Sequence, residues 1–539
     1  MIKQNISKSV LSLSIFFTLT GCSNKDYIPN HELVDDELIS YQANMSEVHQ
    51  EIDNFGASDA WTFQYVGKNW PIEKRNKIAD LLFSKEVDEN GKPKGIGLSL
   101  WRMNLGAGSK DKPHPNIQNG WALASCIRNE DGDYDLSEDG KFGGQIWMAK
   151  AAKERGCNQF LGFCNSVPYY WTFSGYTTAI GTDYERKLNL KPEYIDDYAS
   201  YLSNIITKMD ELHGIHFNYV CPVNEPEWEA DGTESCHANN NDISMLTKAI
   251  NKQFTTDGVT TKIVIPESGK PQFVYGDDTA LPDYSMYGFK AKNFFSEESS
   301  NYIGDLQNVA NLLAAHSYWS VNTKNELKQI RQQVGEAISK YGIKYWQTEF
   351  CILSDDYDLG TTPDGKPVGG NGSDTTMKLA LYVARIIHSD LVFANASAWH
   401  WWLGATPYEY KDGLIYLTEN EYDGDIRESK LLWALGNYSR FINPGAVRLG
   451  VTSKVDVSDL QGMMCSCYKN PDGKLVYVII NFAEKDNTIS LKTDDGKDRQ
   501  FTPYITSDIE GDNLRPMKSI KNNEQVTIPS KSIITFAEK

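Results

Sequence analysis

Between about residues 51 and 403, short apolar runs alternate with stretches of helical period. The runs at 55–58, 95–105, 158–164, 217–223, 262–266, 312–318, 344–350 and 394–402 have the length and flanks of strands. Between most of them lie patterns with apolar residues three and four apart, at 72–83, 144–155, 192–212, 243–254, 325–340 and 375–388. In the first, Ile78, Leu81 and Leu82 share one side; Gly156 closes the second, and Pro192 suits the first turn of the third. Strands alternating with helices predict parallel pairing through helical crossovers, and eight such units predict a closed α/β fold, a (β/α)8 TIM barrel. An open doubly wound sheet is the competing architecture. It calls for a glycine-rich nucleotide loop after a first strand, which the sequence lacks.

The rhythm changes after about residue 437. Gly-, Asp- and Asn-rich turns now separate short runs such as 475–482, 488–491 and 530–536. This predicts an attached antiparallel β-sandwich side domain. The stretch 38–49 has strand character and is expected to join it, so that both chain ends meet in one domain. The expected organisation is a barrel over 51–430, a sandwich over 431–539, and strand-forming residues 38–50 belonging to the latter.

Residues 1–22 do not read as fold. Lys3 and Lys8 precede an apolar stretch at 10–19, which is too short to span a bilayer. It ends in Leu19-Thr20-Gly21-Cys22, which resembles a bacterial lipobox with Cys22 as the lipidated residue. Polar residues 23–37, including Pro29, then form a tether. The expected location is the bacterial cell envelope, with membrane attachment by lipid alone. Of the other eight cysteines, Cys157, Cys164, Cys221 and Cys351 lie in or beside apolar runs and read as buried thiols. No Cys/His spacing suggests a metal site, and no cofactor is expected.

Composition narrows the partners. In a chain of 539 residues a net charge of −19 argues against nucleic acid and favours a neutral polymer over an acidic one. Aromatics make up 12% of residues, with 13 Trp and 29 Tyr; they suit both a large core and a surface for sugar faces. A monomer is expected.

In a barrel, chemistry sits at the C-terminal ends of the strands. The fourth run ends in Val223-Asn224-Glu225-Pro226 and the seventh in Gln347-Thr348-Glu349-Phe350. A lone strand-end Glu is commonly a cap or a solvated charge. Two of them across a barrel mouth are what cleavage of a glycosidic bond requires: one protonates the leaving oxygen, and the other attacks or activates water. Other motifs are weak. The stretch Asp131-Gly132-Asp133-Tyr134-Asp135 begins like a calcium loop but lacks the later Gly and Glu. No Gly-x-Ser-x-Gly elbow and no zinc-protease helix are present.

Together these segments resemble glycoside hydrolase family 30. The resemblance is carried by Asn54-Phe55-Gly56-Ala57-Ser58, Trp101-Arg102-Met103-Asn104-Leu105-Gly106, Asn165-Ser166-Val167-Pro168-Tyr169-Tyr170-Trp171, Asn224-Glu225-Pro226, His316-Ser317-Tyr318 and Thr348-Glu349. It extends to Tyr438-Ser439-Arg440-Phe441-Ile442-Asn443-Pro444-Gly445-Ala446 in the side domain, with Val167 standing where many relatives have a second proline.

The resemblance implies a retaining mechanism with Glu225 as acid/base and Glu349 as nucleophile. Matching positions assign Arg102 to hold the nucleophile ionised, Asn224 to the sugar 2-hydroxyl or the nucleophile, and Tyr318 with His316 to orient Glu349 or contact sugar. Asn165, Trp171, Trp399 and Trp401 are the remaining candidates for substrate contact, the tryptophans by stacking. The strand end at 100–109 looks most like the endo-β-1,6-galactanase branch. Relatives cutting β-1,6-glucan, glucuronoxylan or glucosylceramide are alternatives within the family. A non-catalytic surface glycan-binding lipoprotein is the alternative outside it, and would be expected to lack one of the two carboxylates.

Overall fold

A computed structural model gives the protein's structure for residues 38–230, 232–277, 284–354 and 356–539. The expected signal segment, lipobox Cys22 and tether lie outside these residues. Strand β1 (Ile39–Ile52) runs almost directly into the first barrel strand, β2 (Asn54–Ser58). The barrel continues with β3 (Leu100–Asn104), β4 (Gln159–Phe163), β5 (Tyr219–Cys221), β6 (Lys262–Ser268), β7 (Val309–Ala315) and β8 (Lys344–Gln347). A hairpin, β9 (Asp356–Thr361) and β10 (Pro367–Val368), follows before the eighth barrel strand, β11 (Ala398–Thr406). β11 pairs in parallel with both β2 and β8, which closes the cylinder. Two further strands, β12 (Gly413–Leu417) and β13 (Ile426–Glu428), extend the sheet beside β11.

Side-chain parity along these strands builds two cores. Leu100, Leu161, Phe163, Val264, Leu312, Ala314, Trp346 and Ala398 point inward and fill the lumen. Their neighbours Trp101, Met103, Phe160, Ile263, Ile265, Leu313 and Tyr345 point outward against the helices. Because both faces are buried, the strands read as continuous apolar runs rather than alternating ones. The helices follow the expected positions, with Ile72–Phe83 matching at both ends. Ile195–His213 and Lys324–Tyr341 each end on a left-handed glycine, Gly214 at φ 63° and Gly342 at φ 63°.

The side domain contains β14 (Ala446–Thr452), β15 (Met463–Lys469), β16 (Leu475–Asn481), β17 (Asn487–Thr493), β18 (Gln500–Thr506), β19 (Arg515–Pro516), β20 (Ile520–Lys521), β21 (Gln525–Ile528) and β22 (Ser532–Glu538). Strand β1 pairs antiparallel with β14 and parallel with β17, so residues 39–52 share a sheet with the C-terminal strands. One face of β15, β16 and β22 contributes Cys465, Cys467, Tyr477, Ile479 and Phe536 to the sandwich core. The opposite face sends Met464, Tyr468, Val478, Ile480 and Ile533 into the core shared with the barrel. The joint is made by helices Met377–Phe393 and Lys430–Ser439, both buried over most of their circumference. All eight cysteines from Cys126 to Cys467 are buried.

Arg440 fastens this joint. Its Nη1 donates to the carbonyls of Ser84 and Gly95, both at 2.9 Å, and its Nη2 to those of Lys85 and Glu86 at 2.6 and 3.1 Å. Burial pulls its pKa down to about 10. Replacing it with Ala leaves barrel carbonyls without partners. We expect Arg440→Ala to cost about 2–4 kcal/mol in chemical denaturation, and an unchanged midpoint would show that the joint does not depend on it.

Candidate active site

Closure of the barrel brings the ends of β3, β5, β6, β7 and β8 around one mouth. Arg102, on the inward face of β3, has a side chain only 1% exposed. Its Nη1 donates to Glu349 Oε2 at 2.7 Å, and its Nη2 to Asn224 Oδ1 at 2.8 Å and Glu267 Oε2 at 3.3 Å. Its guanidinium lies 3.7 Å from the Phe163 ring centroid. Tyr318 donates its hydroxyl to the other Glu349 oxygen at 2.9 Å. Glu349 is thus gripped on both oxygens.

Glu225 sits opposite, at φ 44°, a left-handed conformation rare for a residue with a side chain. Its amide donates to the carbonyl of Glu267, itself at φ 54°. This single bond ties the ends of β5 and β6 together and turns the Glu225 side chain into the mouth. His316 then bridges the site. Its Nδ1 lies 2.8 Å from Glu225 Oε1 and 3.6 Å from Glu349 Oε1, and its Nε2 lies 3.0 Å from Glu267 Oε2. Oxygens of Glu225 and Glu349 and a nitrogen of His316 all fall within 4.8 Å of one another.

The electrostatics follow from this packing. Burial opposes a charged His316, but Glu349, Glu225 and Glu267 outweigh it and raise its pKa to about 10. Burial likewise opposes an ionised Glu267. The Arg102 charge, His316 and the 2.7 Å hydrogen bond from Thr348 Oγ1 nevertheless hold it at about 2. Burial raises Glu349, and nearby Glu225 adds to this, against the downward pull of His316 and Arg102. The trio Glu225, His316 and Glu349 is spaced like metal ligands. However, an imidazole held protonated by three carboxylates donates rather than ligates.

A cleft of about 230 Å³ opens over the two glutamates. Asn165, Asn224, Glu225, Tyr318 and Glu349 line it, with Trp61, Trp228 and Trp402 as aromatic walls. Arg102 and His316 lie beneath it. Three candidates are elsewhere. Trp399 and Trp401 share the outward parity of β11 and pack under the helices, their indole N–H groups bonded to Asp390 Oδ2 at 3.0 Å and to the Asp412 carbonyl at 2.7 Å. Trp171 is 6% exposed and packs among Tyr170, Tyr194 and Tyr201, with Arg128 over its ring. None of the three lines the cleft; Trp402, one residue beyond Trp401, does.

Two further carboxylates at this site were not among the expected residues. Glu267 comes directly after the apolar run at 262–266, as Glu225 and Glu349 stand at or just past the ends of theirs, so the same strand-end rule would have found it. Glu234 is 2% exposed and lines the cleft. It accepts from the amides of Ala107 and Ser109 at 3.1 and 2.9 Å, pinning the loop after β3 to the one after β5. Burial raises its pKa to about 7. Nothing local in the sequence marks it.

The family model for O-glycosyl hydrolase family 30 matches residues 39–416, and that for the family 30 β-sandwich domain matches residues 445–536. Among solved structures, a conserved exported protein from Bacteroides fragilis is 34% identical, over 92% of this chain and 100% of its own, with a TM-score of 0.83. The catalytic domain of family 30 xylanase C from Talaromyces cellulolyticus is 20% identical, over 93% of this chain and 100% of its own, with a TM-score of 0.64. An endo-β-1,6-glucanase is 18% identical, over 92% of this chain and 94% of its own, also with a TM-score of 0.64. At such identities the last two demonstrate a shared fold. With its catalytic and sandwich portions both matched, this chain belongs to glycoside hydrolase family 30.

Proposed function

We propose that this glycoside hydrolase works with net retention, through a covalent glycosyl-enzyme ester on Glu349. The observation that carries this is the spacing of Glu225 and Glu349, whose nearest carboxylate oxygens lie within 4.8 Å. Retaining enzymes hold their carboxyl groups about 5–5.5 Å apart, whereas inverting ones leave about 6.5–9.5 Å for a water. Glu349, held by Arg102 and Tyr318, attacks the anomeric carbon as the bond to the leaving oxygen breaks. Glu225, with a side chain 18% exposed and facing the cleft, gives its proton to that oxygen. It then takes a proton from water, which attacks the anomeric carbon, breaks its bond to Glu349 and releases the sugar with its original configuration.

Glu349→Ala is expected to lower turnover by at least about a thousandfold, with partial rescue and inverted product when azide is added. Glu225→Ala is expected to retain far more activity on substrates whose leaving group needs no protonation. Proton NMR of the wild-type reaction decides the stereochemistry: an inverted anomer appearing first would defeat the double displacement.

For the substrate we propose a neutral β-linked polysaccharide, with β-1,6-galactan ahead of β-1,6-glucan and xylan. The net charge of −19 favours a neutral polymer, and the likeness of residues 100–109 to the galactanase branch favours galactan. The relatives named above include a xylanase and an endo-β-1,6-glucanase. Incubation with β-1,6-galactan, β-1,6-glucan and glucuronoxylan, with product sizes read out, is expected to release short oligosaccharides from the first. Digestion of one of the others alone would move the specificity while leaving the mechanism in place.

We further propose attachment to the cell envelope through lipid on Cys22. The lipobox-like Leu19-Thr20-Gly21-Cys22 supports this, as does the exported character of the Bacteroides fragilis relative. No helix among the described residues is long and apolar enough to cross a membrane. Cys22→Ala is expected to move the protein from the membrane to the soluble fraction with its catalysis intact. Continued membrane association would mean another anchor.

A further inference from the structure

Trp319 is an unusual residue. It follows Tyr318, which touches the nucleophile, and its backbone is left-handed at φ 49°. A bulky side chain rarely adopts that conformation, and the residues that do so gather at functional sites. The indole is 39% exposed. It is held in place by Trp228, at 5.5 Å between centroids and 86° between planes, and by Tyr318 at 5.8 Å. Gln272 Nε2 fixes its carbonyl at 3.0 Å. Lys270 Nζ also lies over its ring, 5.2 Å from the centroid. Trp228 and Tyr318 both line the cleft, and Trp319 stands just outside that lining.

The side of the cleft on which it stands is set by Glu225. Trp228 lies three residues after Glu225, and Gly269 fits between them: a Cβ there would strike the Trp228 ring and come 3.2 Å from Glu225 Oε1. Glu225, Gly269, Trp228 and Trp319 therefore form one continuous wall. The Arg102 guanidinium gathers Asn224 and Glu349, and Tyr318, packed on Trp319, reaches Glu349 at 2.9 Å, so this wall adjoins both glutamates. The proton goes to the leaving oxygen, so the departing part of the substrate lies along the Glu225 wall.

We propose that Trp319, backed by Trp228, is the stacking platform for the departing sugar of an oligosaccharide, making it a specificity-determining residue for polymeric over minimal substrates. This rests on the assignment of Glu225 as acid/base. Aromatic rings accept the flat C–H face of a sugar, and the left-handed backbone projects the ring at the rim rather than into the core. An enzyme with such a platform draws binding energy from a sugar beyond the scissile bond, as cleavage within a chain requires.

The test compares two substrates carrying the same glycone: a β-1,6-galactohexaose and the β-fluoride of the matching disaccharide. If the substrate panel selects glucan, the glucan counterparts replace them. Fluoride is one atom, needs no proton and reaches no platform. In Trp319→Ala the ratio of kcat/KM on the hexasaccharide to that on the fluoride is expected to fall about tenfold, mainly through KM. Trp319→Phe is expected to restore most of that ratio. Equal losses on both substrates, or a ratio unchanged from wild type, would overturn the proposal and leave Trp319 a structural residue. A melting curve for each variant separates loss of fold from loss of binding. Wild-type protein inactive on every fluoride and oligosaccharide would instead sink the hydrolase reading on which this inference stands.

Discussion

A guanidinium buried inside a barrel mouth must be matched by negative charge, and the placement of Arg102 sets most of what surrounds it. Its side chain is 1% exposed, so bulk solvent does not offset its charge. Glu349 and Glu267 supply the carboxylates, and Asn224 supplies a third acceptor. These three come from different strand ends, so only a closed barrel of the right size brings them together. His316 then adds a second positive charge between Glu225, Glu267 and Glu349. The outcome is a compact array in which each carboxylate has a different environment. Glu267 is fully buried, with Arg102 and His316 favouring its charged form; Glu349 is buried but touches the cleft; Glu225 is the most open of the three. Three glutamates of one chemical type therefore stand in three different electrostatic settings, the condition under which carboxyl groups can be given separate tasks.

How much of this was legible depended on whether a signal was local. The eight strands could be read because apolar runs bounded by helical patterns recur along the chain, and helix Ile72–Phe83 could be placed to the residue. Glu225 and Glu349 were legible as candidates because each stands near the C-terminal end of an apolar run. The tryptophans could not be assigned. In 398–403, Ala-Trp-His-Trp-Trp-Leu, both faces are buried, so there is no polar–apolar alternation to reveal which side chains point inward. The pairing of β11 with β2 settles this, setting Trp399 opposite Phe55 and Trp401 opposite Ala57, with a register shift before Leu403. Trp402 shares the inward parity of Ala398, and the shift carries Leu403 to that side as well. Trp61 and Trp228 lie outside the strands, and their arrival at the cleft depends on loop geometry that no period encodes. Glu234 is harder still, because its role is made by backbone amides more than a hundred residues away.

The side domain is part of the same physical system. Helix Met377–Phe393 is buried on nearly every side because the barrel covers one face and strands β15, β16 and β22 cover another. On the barrel side this helix presents Asp390, whose carboxylate is buried and paired with Arg331 at 2.8 Å. Asp390 also accepts from Trp399 at 3.0 Å and from the Ser317 hydroxyl at 3.3 Å. Ser317 stands between His316 and Tyr318, the residues that bridge and grip the two glutamates. Its amide also donates to the carbonyl of Glu349 at 3.1 Å. A continuous set of contacts thus runs from the sandwich through one helix and one buried ion pair to the catalytic mouth. Trp399 belongs to this support, which explains a buried tryptophan so near the site with no surface open to sugar. Carboxylates that must hold about half an ångström of positional tolerance need such backing, and here the sandwich, in which residues 39–52 join the C-terminal strands, provides it from behind.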